Sequence, residues 1–233
     1  MSADLAKQNA ARAALDYVKD GMIVGLGTGS TSAHLVRFLG ERVRDGLKIR
    51  GVPTSEATRN LAEQVGVPLL EISQVTALDV DIDGADEIDP GFRLIKGGGG
   101  ALLREKIVAA ASRQMVVIAD ETKWVKTLGE FPLPVEVTRF GFMLTLERVR
   151  EALRATGCAG DEVSLRTSGK SNEPVITDGG NYILDAHARK IADPDALGDA
   201  LKRVAGVVEH GLFIGLAQTV ILGRADGAEI KTL

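Results

Sequence analysis

Four carboxylates and one lysine crowd into the stretch DGADEIDPGFRLIKGGGG, residues 83–100. Asp83 and Asp86 flank a Gly-Ala pair, and Lys96 leads directly into four glycines. Carboxylates can move protons, while a lysine and successive backbone N–H groups can stabilise an oxyanion. A solvated charged turn is the simpler alternative. The chemistry that this set favours is proton transfer next to a carbonyl, which requires neither a redox partner nor a metal.

Glu105 is the candidate base, because it lies in the helical pattern ALLREKIVAAA that follows the glycines. A carboxylate held among apolar neighbours would tend to have a raised pKa, which suits a general base. The alternative is that Glu105 pairs with Arg104 or with a distant lysine. The residues three and four positions away from Glu105 are Ala101, Leu102, Val108 and Ala109.

Metal and thiol chemistry find little support in the sequence. The acidic stretch is loosely similar to a calcium loop, but it lacks the spacing and the glutamate at position 12 of an EF-hand. His34, His187 and His210 lie far apart, which favours structural or surface roles. Cys158, the single cysteine, has no neighbouring lysine or histidine in the sequence. We therefore expect no metal and no cofactor.

A second glycine-rich stretch, GLGTGSTS at residues 25–32, lies between a predicted strand and a predicted helix. Backbone N–H groups at a helix N-terminus, joined by serine and threonine hydroxyls, can hold a phosphate. The P-loop pattern fails because no lysine follows, and the dinucleotide pattern fails because Ser30 occupies the place of its third glycine. A phosphate monoester therefore fits better than a nucleotide. The alternative is a tight turn with a Ser/Thr helix cap.

Strands alternating with helices predict an α/β fold, a mostly parallel sheet with helices on both faces. The loops at Gly25, Asp83 and Lys96 all follow predicted strands, so we expect them at one carboxyl edge, where ligands bind. From residue 129 the pattern changes to strand, helix, strand, hairpin and helix, typical of a smaller α+β domain. The predicted domains are 1–128 with 207–233, the tail returning to the first sheet, and 129–206.

Composition limits the possible partners. The chain has 233 residues, 45% hydrophobic and 26% charged, and a net charge of −4. No basic stripe is present, so we expect no nucleic-acid partner.

The longest uncharged stretch near the end, 13 residues, is too short for a membrane helix. The N-terminus lacks an apolar signal segment, and one cysteine suits a reducing compartment. We expect a cytoplasmic protein without membrane contact.

Several long motifs, in order, resemble the ribose-5-phosphate isomerases of the A type. They are GLGTGST, DGADEID, KGGGGALLREK, ADETKWV with LGEFPLPVEV, GNYILDAH and GVVEHGLF, and they cover nearly the whole chain. The resemblance implies interconversion of D-ribose 5-phosphate and D-ribulose 5-phosphate through an enediolate, in the non-oxidative pentose phosphate pathway. It also implies a Rossmann-like domain, a ferredoxin-like domain and a homodimer. Gly100 departs from the alanine expected there.

The resemblance assigns roles motif by motif. Glu105 would be the base between C1 and C2, and Asp83 and Lys96 would assist ring opening and proton movement between the oxygens. Lys123 would contact the ligand, and Lys7 would add a phosphate contact. The remaining substrate-binding positions implied are Thr28, Gly29, Ser30, Thr31, Gly84, Ala85, Asp86, Gly97, Gly98 and Gly99.

Two other functions fit parts of the sequence. One is another sugar-phosphate enzyme on the same fold, such as a deaminase, which would want an additional histidine near the site. The other is a sugar-phosphate sensor that controls transcription, which usually carries a helix-turn-helix ahead of the sheet. Only one helix is predicted before the first strand here, and the chain is acidic.

Overall fold

A computed structural model describes residues 2–169 and 172–233. Its described residues form two compact units, and each is treated by itself. The first unit comprises Met1–Ala85, Arg104–Trp124 and Gly215–Leu233. The second comprises Asp86–Leu103 and Val125–Ile214.

The first unit is built on a six-stranded sheet in the order β13-β12-β6-β3-β1-β2. All neighbours are parallel except β12 and β13, which form an antiparallel pair. The central strand β6 is a continuous buried run, as expected for a parallel strand covered on both faces. The strands are β1 (Ile23–Leu26), β2 (Arg50–Pro53), β3 (Val80–Asp83), β6 (Met115–Asp120), β12 (Ala217–Arg224) and β13 (Gly227–Thr232).

Helices cover both faces of this sheet, as predicted. Three of them pack on the face that carries the apolar side chains of β1 and β3. The other face receives α4, whose Val108 packs with Val52 and Leu78. The helices are α1 (Ser2–Ala14), α2 (Ser30–Arg44), α3 (Glu56–Val65) and α4 (Leu102–Ala110), the last entering this unit at Arg104.

The order of the parallel strands creates a switch point. From β1 the chain crosses to β2 on one side, and the later strand β3 pairs with β1 on the other side. In doubly wound sheets, ligands bind outside the carboxyl ends of the strands at this point. The loops after β1 and β3 lie there. The alternating pattern of the sequence thus predicted both the sheet and the edge at which its first two loops meet.

The second unit contains a four-stranded antiparallel sheet in the order β10-β7-β9-β8. In chain order its elements read strand, helix, strand, strand, helix, strand, which is the ferredoxin-like arrangement. The helix α6 is capped by Asp193 and begins with Pro194, a favoured first residue. The elements are β7 (Leu133–Val137), α5 (Phe142–Ala155), β8 (Glu162–Leu165), β9 (Tyr182–His187), α6 (Pro194–Lys202) and β10 (Val207–His210).

A small third sheet corrects one prediction. The strand before Lys96, β5 (Leu94–Ile95), does not join the parallel sheet. It pairs antiparallel with β4 (Glu87–Ile88) and β11 (Leu212–Phe213) inside the second unit. Lys96 therefore follows a strand of this small sheet and not a strand of the parallel sheet. Leu69, further back in the chain, makes an isolated parallel β-bridge to Gly51 of β2.

The units also divide the chain differently from the sequence-based boundaries at 128/129 and 206/207. Residues 86–103 group with the second unit because β4 and β5 pair with β11 there. β10 groups with it too, because it pairs with β7. The tail from Gly215 returns to the first sheet as predicted. Within the described ranges, no helix combines the length and apolar composition needed to cross a membrane.

Candidate active site

The loop after β1 approaches the end of β3 so closely that one position accepts only glycine. A Cβ atom on Gly27 would lie 2.0 Å from Oδ1 of Asp83. Gly29 has a φ of 115° and sits at the N-cap of α2, where, lacking a side chain, it supplies no side-chain cap. The first turn of α2, which contains Ser30 and Thr31, therefore presents backbone N–H groups that can donate hydrogen bonds to an anion.

Asp83 holds this loop in place. Its Oδ1 accepts the backbone N–H of Thr28 at 3.0 Å and that of Gly84 at 2.7 Å. The hydroxyl of Ser32 reaches the same oxygen at 3.4 Å. Asp83 is fully buried, and these donors, all at Oδ1, offset part of the cost of burying its carboxylate. The sequence-predicted residues of the two loops are thus brought together by a single carboxyl group.

A cluster of hydroxyls, which the sequence reading missed, surrounds the side chain of Thr28. Its Oγ1 lies 2.8 Å from Oγ1 of Thr54 and donates to Oγ of Ser55 at 2.9 Å. Ser55 also caps α3 by accepting the backbone N–H of Thr58 at 3.1 Å. Thr58 in turn donates to the carbonyl of Gly27 at 2.9 Å. The sequence signal was Ser55 directly before the helical run EATRNLAEQV, because serine is a typical N-cap.

Glu105 lies on the face of α4 that is directed at the sheet. A Cβ atom on Gly25 would lie 2.6 Å from Val108, so this face of α4 packs on β1. The backbone of Leu78, before β3, donates to the carbonyl of Ala111, just beyond α4. The helix therefore runs antiparallel to the strands. Glu105, three residues before Val108, shares its face and lies about 4.5 Å nearer the carboxyl edge.

Burial of Glu105 agrees with this position, because its exposed fraction is only 4%. Its neighbour Arg104 bonds to Oε1 of Glu56 at 2.7 Å. That hydrogen bond lowers the pKa of the Glu56 carboxyl below its ordinary value, with a smaller opposing effect of burial. The helix thus carries one half-buried arginine and one buried carboxylate at consecutive positions.

The two predicted lysines of the first unit occupy partly buried positions. Lys123 ends a short 3-10 turn that directly follows β6, so it lies at the carboxyl end of a strand next to β3. Lys7 lies on α1, three residues after Asp4. Asp4 pairs with the Nε2 of His34, in the first turns of α2, at 3.0 Å. That contact fixes the part of α1 that carries Lys7 beside the start of α2.

The remaining predicted residues belong to the second unit. Lys96 is 2% exposed, and its Nζ lies 5.3 Å from the ring centre of Phe213. Its backbone N–H donates to Gly211 at 2.9 Å. Gly98 donates its backbone N–H to Oδ2 of Asp86 at 2.7 Å. Asp86 is thus a support of the glycine loop, a contact that the sequence did not indicate.

The other two of the four crowded carboxylates also accept backbone N–H groups. Glu87 accepts the backbone N–H groups of Gly129 and Phe131, each at 2.6 Å. Asp89 accepts the backbone of Gly91 and pairs with Arg93. Among the described residues, no group of three or more His, Cys, Asp or Glu side chains is placed to hold a metal ion. All four carboxylates of the Asp83–Asp89 cluster thus accept at least one backbone N–H group.

A doubly wound sheet with glycine loops, a buried carboxylate and lysines near its carboxyl edge is typical of enzymes that act on small phosphorylated ligands. Residues 50–227 match the family model of ribose 5-phosphate isomerase A, also called phosphoriboisomerase A. The chain belongs to this family of aldose–ketose isomerases.

Individual relatives match over the full length. A ribose-5-phosphate isomerase A of Maricaulis maris is 54% identical and is covered completely, as is this chain. A solved structure of a D-ribose-5-phosphate isomerase in complex with phospho-erythronic acid is 38% identical, with a TM-score of 0.91 and full coverage of both chains. The ribose 5-phosphate isomerase A of Methanocaldococcus jannaschii is 40% identical, with a TM-score of 0.89 and 99% coverage of both chains.

Proposed function

We propose that this chain interconverts D-ribose 5-phosphate and D-ribulose 5-phosphate through an enediolate, with Glu105 as the base. Family membership supports the substrates, because the relatives carry the name of this activity. The observation that carries the mechanism is the position of Glu105, buried on the sheet-facing side of α4 and near the carboxyl edge. A buried carboxylate at such an edge is suited to take up and return a proton.

In the proposed reaction Glu105 removes the proton on C2 of the open-chain aldose. The electrons form the C1–C2 double bond of the enediolate, and the aldehyde oxygen takes on negative charge. Glu105 then returns the proton to C1, while the O2 proton moves to O1, which leaves a ketone at C2. We propose that Asp83 and Lys96 assist ring opening and the transfer between the two oxygens.

We propose that the phosphate is held by the start of α2, with Gly29, Ser30 and Thr31, and by Lys7. Thr28 and Lys123 also contact the ligand in this proposal. The absence of a side-chain cap at Gly29 supports this, because the first N–H groups of α2 can then donate to an anion. The solved relative that binds phospho-erythronic acid, a phosphorylated acid, supports the same class of ligand. We assign the sugar hydroxyls to Gly84, Ala85 and Asp86. The oxygens of C1 and C2 are assigned to Gly97, Gly98 and Gly99.

The test is a direct assay of the purified chain with ribose 5-phosphate in the presence of EDTA. We expect ketose formation by the wild type and a loss of about 10² or more in kcat for Glu105→Gln, because an amide cannot accept the proton. Glu63→Gln, an exposed glutamate on α3, is the matched control and should keep full activity. Full activity of Glu105→Gln would reject the base, and loss with EDTA would reject a metal-free reaction.

A further inference from the structure

The glycine loop that follows Lys96 has a defined shape. Gly97 has a φ of 103°, and a Cβ atom there would lie 2.8 Å from the side chain of Leu102. A Cβ atom on Gly98 would lie 2.6 Å from Asp86. The loop therefore needs glycine for its conformation and its close approach to neighbours. Glycines also make the loop flexible, so something must hold it in one conformation.

Arg166 contacts this loop through two backbone carbonyls. Its Nη1 donates to the oxygen of Gly97 at 2.8 Å and to that of Gly98 at 3.2 Å. Hydrogen bonds from an ionised donor are stronger than those between neutral groups. A single guanidinium thus fixes two consecutive peptide groups directly after Lys96.

Arg166 is itself held in position by residues outside the glycine loop. Its Nε donates to Oδ2 of Asp185 at 2.9 Å, and its Nη2 donates to the other oxygen of that carboxylate. The two side chains are only 15% and 19% exposed. The backbone of Arg166 is bonded on both sides, to Ile183 and to Val175. The guanidinium is therefore positioned by the framework of β8 and β9, not by the glycine loop.

The direction of these bonds determines where the loop presents its donors. In a trans peptide the C=O and the following N–H point in opposite directions. With the carbonyl of Gly98 directed at Arg166, the N–H of the exposed residue Gly99 is directed away from it. The N–H of Gly98 is already directed at Asp86. Arg166 thus selects the orientation in which Gly99 presents its N–H on the side opposite to Arg166.

We propose that Arg166, held by Asp185, is a positioning residue that keeps the Lys96–Gly99 loop in its catalytic conformation. The inference rests on the proposed isomerase function, in which this loop contacts the oxygens of the reacting carbons. Arg166 does not contact the substrate in this scheme. Its effect passes through the carbonyls of Gly97 and Gly98, so it should act on the chemical step more than on phosphate binding.

The first arm of the test is steady-state kinetics with ribose 5-phosphate. We expect Arg166→Met to lower kcat by about 10–10² with a change in KM of less than about 3-fold, because misplacement of a loop by about 1 Å can cost that much. Arg166→Lys should be intermediate, because a lysine is a point charge without the two-pronged geometry. Asp185→Asn should lower kcat in the same direction by a smaller factor.

Arg150→Met is the matched control. Arg150 lies in the same unit and also pairs with a carboxylate, Glu147, and donates to a backbone carbonyl, that of Val163. The Arg150→Met variant therefore loses the same kinds of arginine contact as Arg166→Met, but none of them is to the glycine loop. We expect wild-type kcat for this variant, and thermal unfolding identifies any variant that fails to fold.

The second arm is hydrogen exchange of the peptide that spans residues 96–102, which does not depend on activity. Arg166→Met should exchange faster there than the wild type, while peptides from α2 and β3 remain unchanged. Unchanged exchange, or faster exchange with wild-type kcat, would overturn the proposal. If the wild type itself does not turn over ribose 5-phosphate, the proposed function fails, and the exchange data still decide whether Arg166 holds the loop.

Discussion

Oδ1 of Asp83 accepts the backbone N–H of Thr28 at 3.0 Å, which joins the loop after β1 to the end of β3. The same oxygen accepts the N–H of Gly84. One carboxyl group thus sets the conformation of both loops at the switch point. Any change at Asp83 therefore alters the scaffold as well as its proposed role in catalysis, and the two effects can be separated by the choice of substitution.

Replacing Asp83 by Asn keeps an oxygen that can accept both N–H groups but removes the charge. We expect Asp83→Asn to retain most of its stability and to lose most of its activity, whereas Asp83→Ala should lose about 1–3 kcal/mol of stability as well. Urea denaturation and the isomerase assay check these outcomes. Asp20→Ala removes an exposed carboxylate that accepts the backbone of Lys48 and should cost less. Equal stability of Asp83→Asn and Asp83→Ala would contradict the scaffold role.

Gly27→Ala would place a methyl group 2.0 Å from Oδ1 of Asp83, so one of the two loops must shift. We expect the free energy of unfolding to fall by about 1–3 kcal/mol, as for other overpacked sites. Gly169→Ala is the control, because a Cβ atom there meets nothing within 4 Å. A urea midpoint for Gly27→Ala equal to that of the wild type would show that the loops can separate without cost.

Ser55→Ala removes the N-cap of α3 and the group to which Thr28 donates. We expect a loss of about 0.5–2 kcal/mol in stability from the cap. Weaker binding of ribose 5-phosphate should follow by calorimetry, because Thr28 loses its fixed rotamer. Asp193→Ala removes the cap of α6 and should lose comparable stability with unchanged affinity. Equal affinities of the two variants for ribose 5-phosphate would show that the hydroxyl cluster does not contribute to binding.

The pKa of the Glu56 carboxyl provides a pH test of the contact between Glu56 and helix α4. The Arg104 hydrogen bond lowers it, so Arg104→Gln should move the NMR titration midpoint of Glu56 up toward its ordinary value. A depressed pKa contributes stability above the unfolded pKa and loses it as the pH falls through the folded pKa. The difference in unfolding free energy between the wild type and Arg104→Gln should therefore vanish in acid. Added salt should reduce this difference, because the Arg104–Glu56 pair is exposed. Arg148→Gln should leave the Glu56 midpoint unchanged.

Much of the first unit could be predicted because its strands and helices carry strong periodic patterns. The positions of Thr28 and Asp83 could be predicted for the same reason, since Thr28 lies just after β1 and Asp83 is the last residue of β3. β5 was assigned to the wrong sheet because a two-residue strand carries no periodic signal. Its pairing with β11 could not be predicted either, because β11 lies more than a hundred residues further along the chain.

Arg166 shows a second limit. It is separated from Gly98 by 68 residues, and nothing in its neighbourhood, SLRTSG, distinguishes it from other surface arginines. Only the return of β9 beside β8 sets its guanidinium between Asp185 and the glycine carbonyls. Contacts of this kind depend on pairing between strands, which a local pattern does not encode.

The pairing of β12 with β6 also has a consequence for synthesis of the chain. β6 ends at Asp120, and its neighbour β12 begins only at Ala217. Asn9 on α1 donates to the carbonyl of Arg224, 215 residues later. At ordinary rates of translation, the nascent sheet keeps an open β6 edge for roughly 5–20 s before its partner strand is made. During that interval an apolar edge is exposed to wrong partners, so chaperone capture of nascent chains that end before β12 is expected.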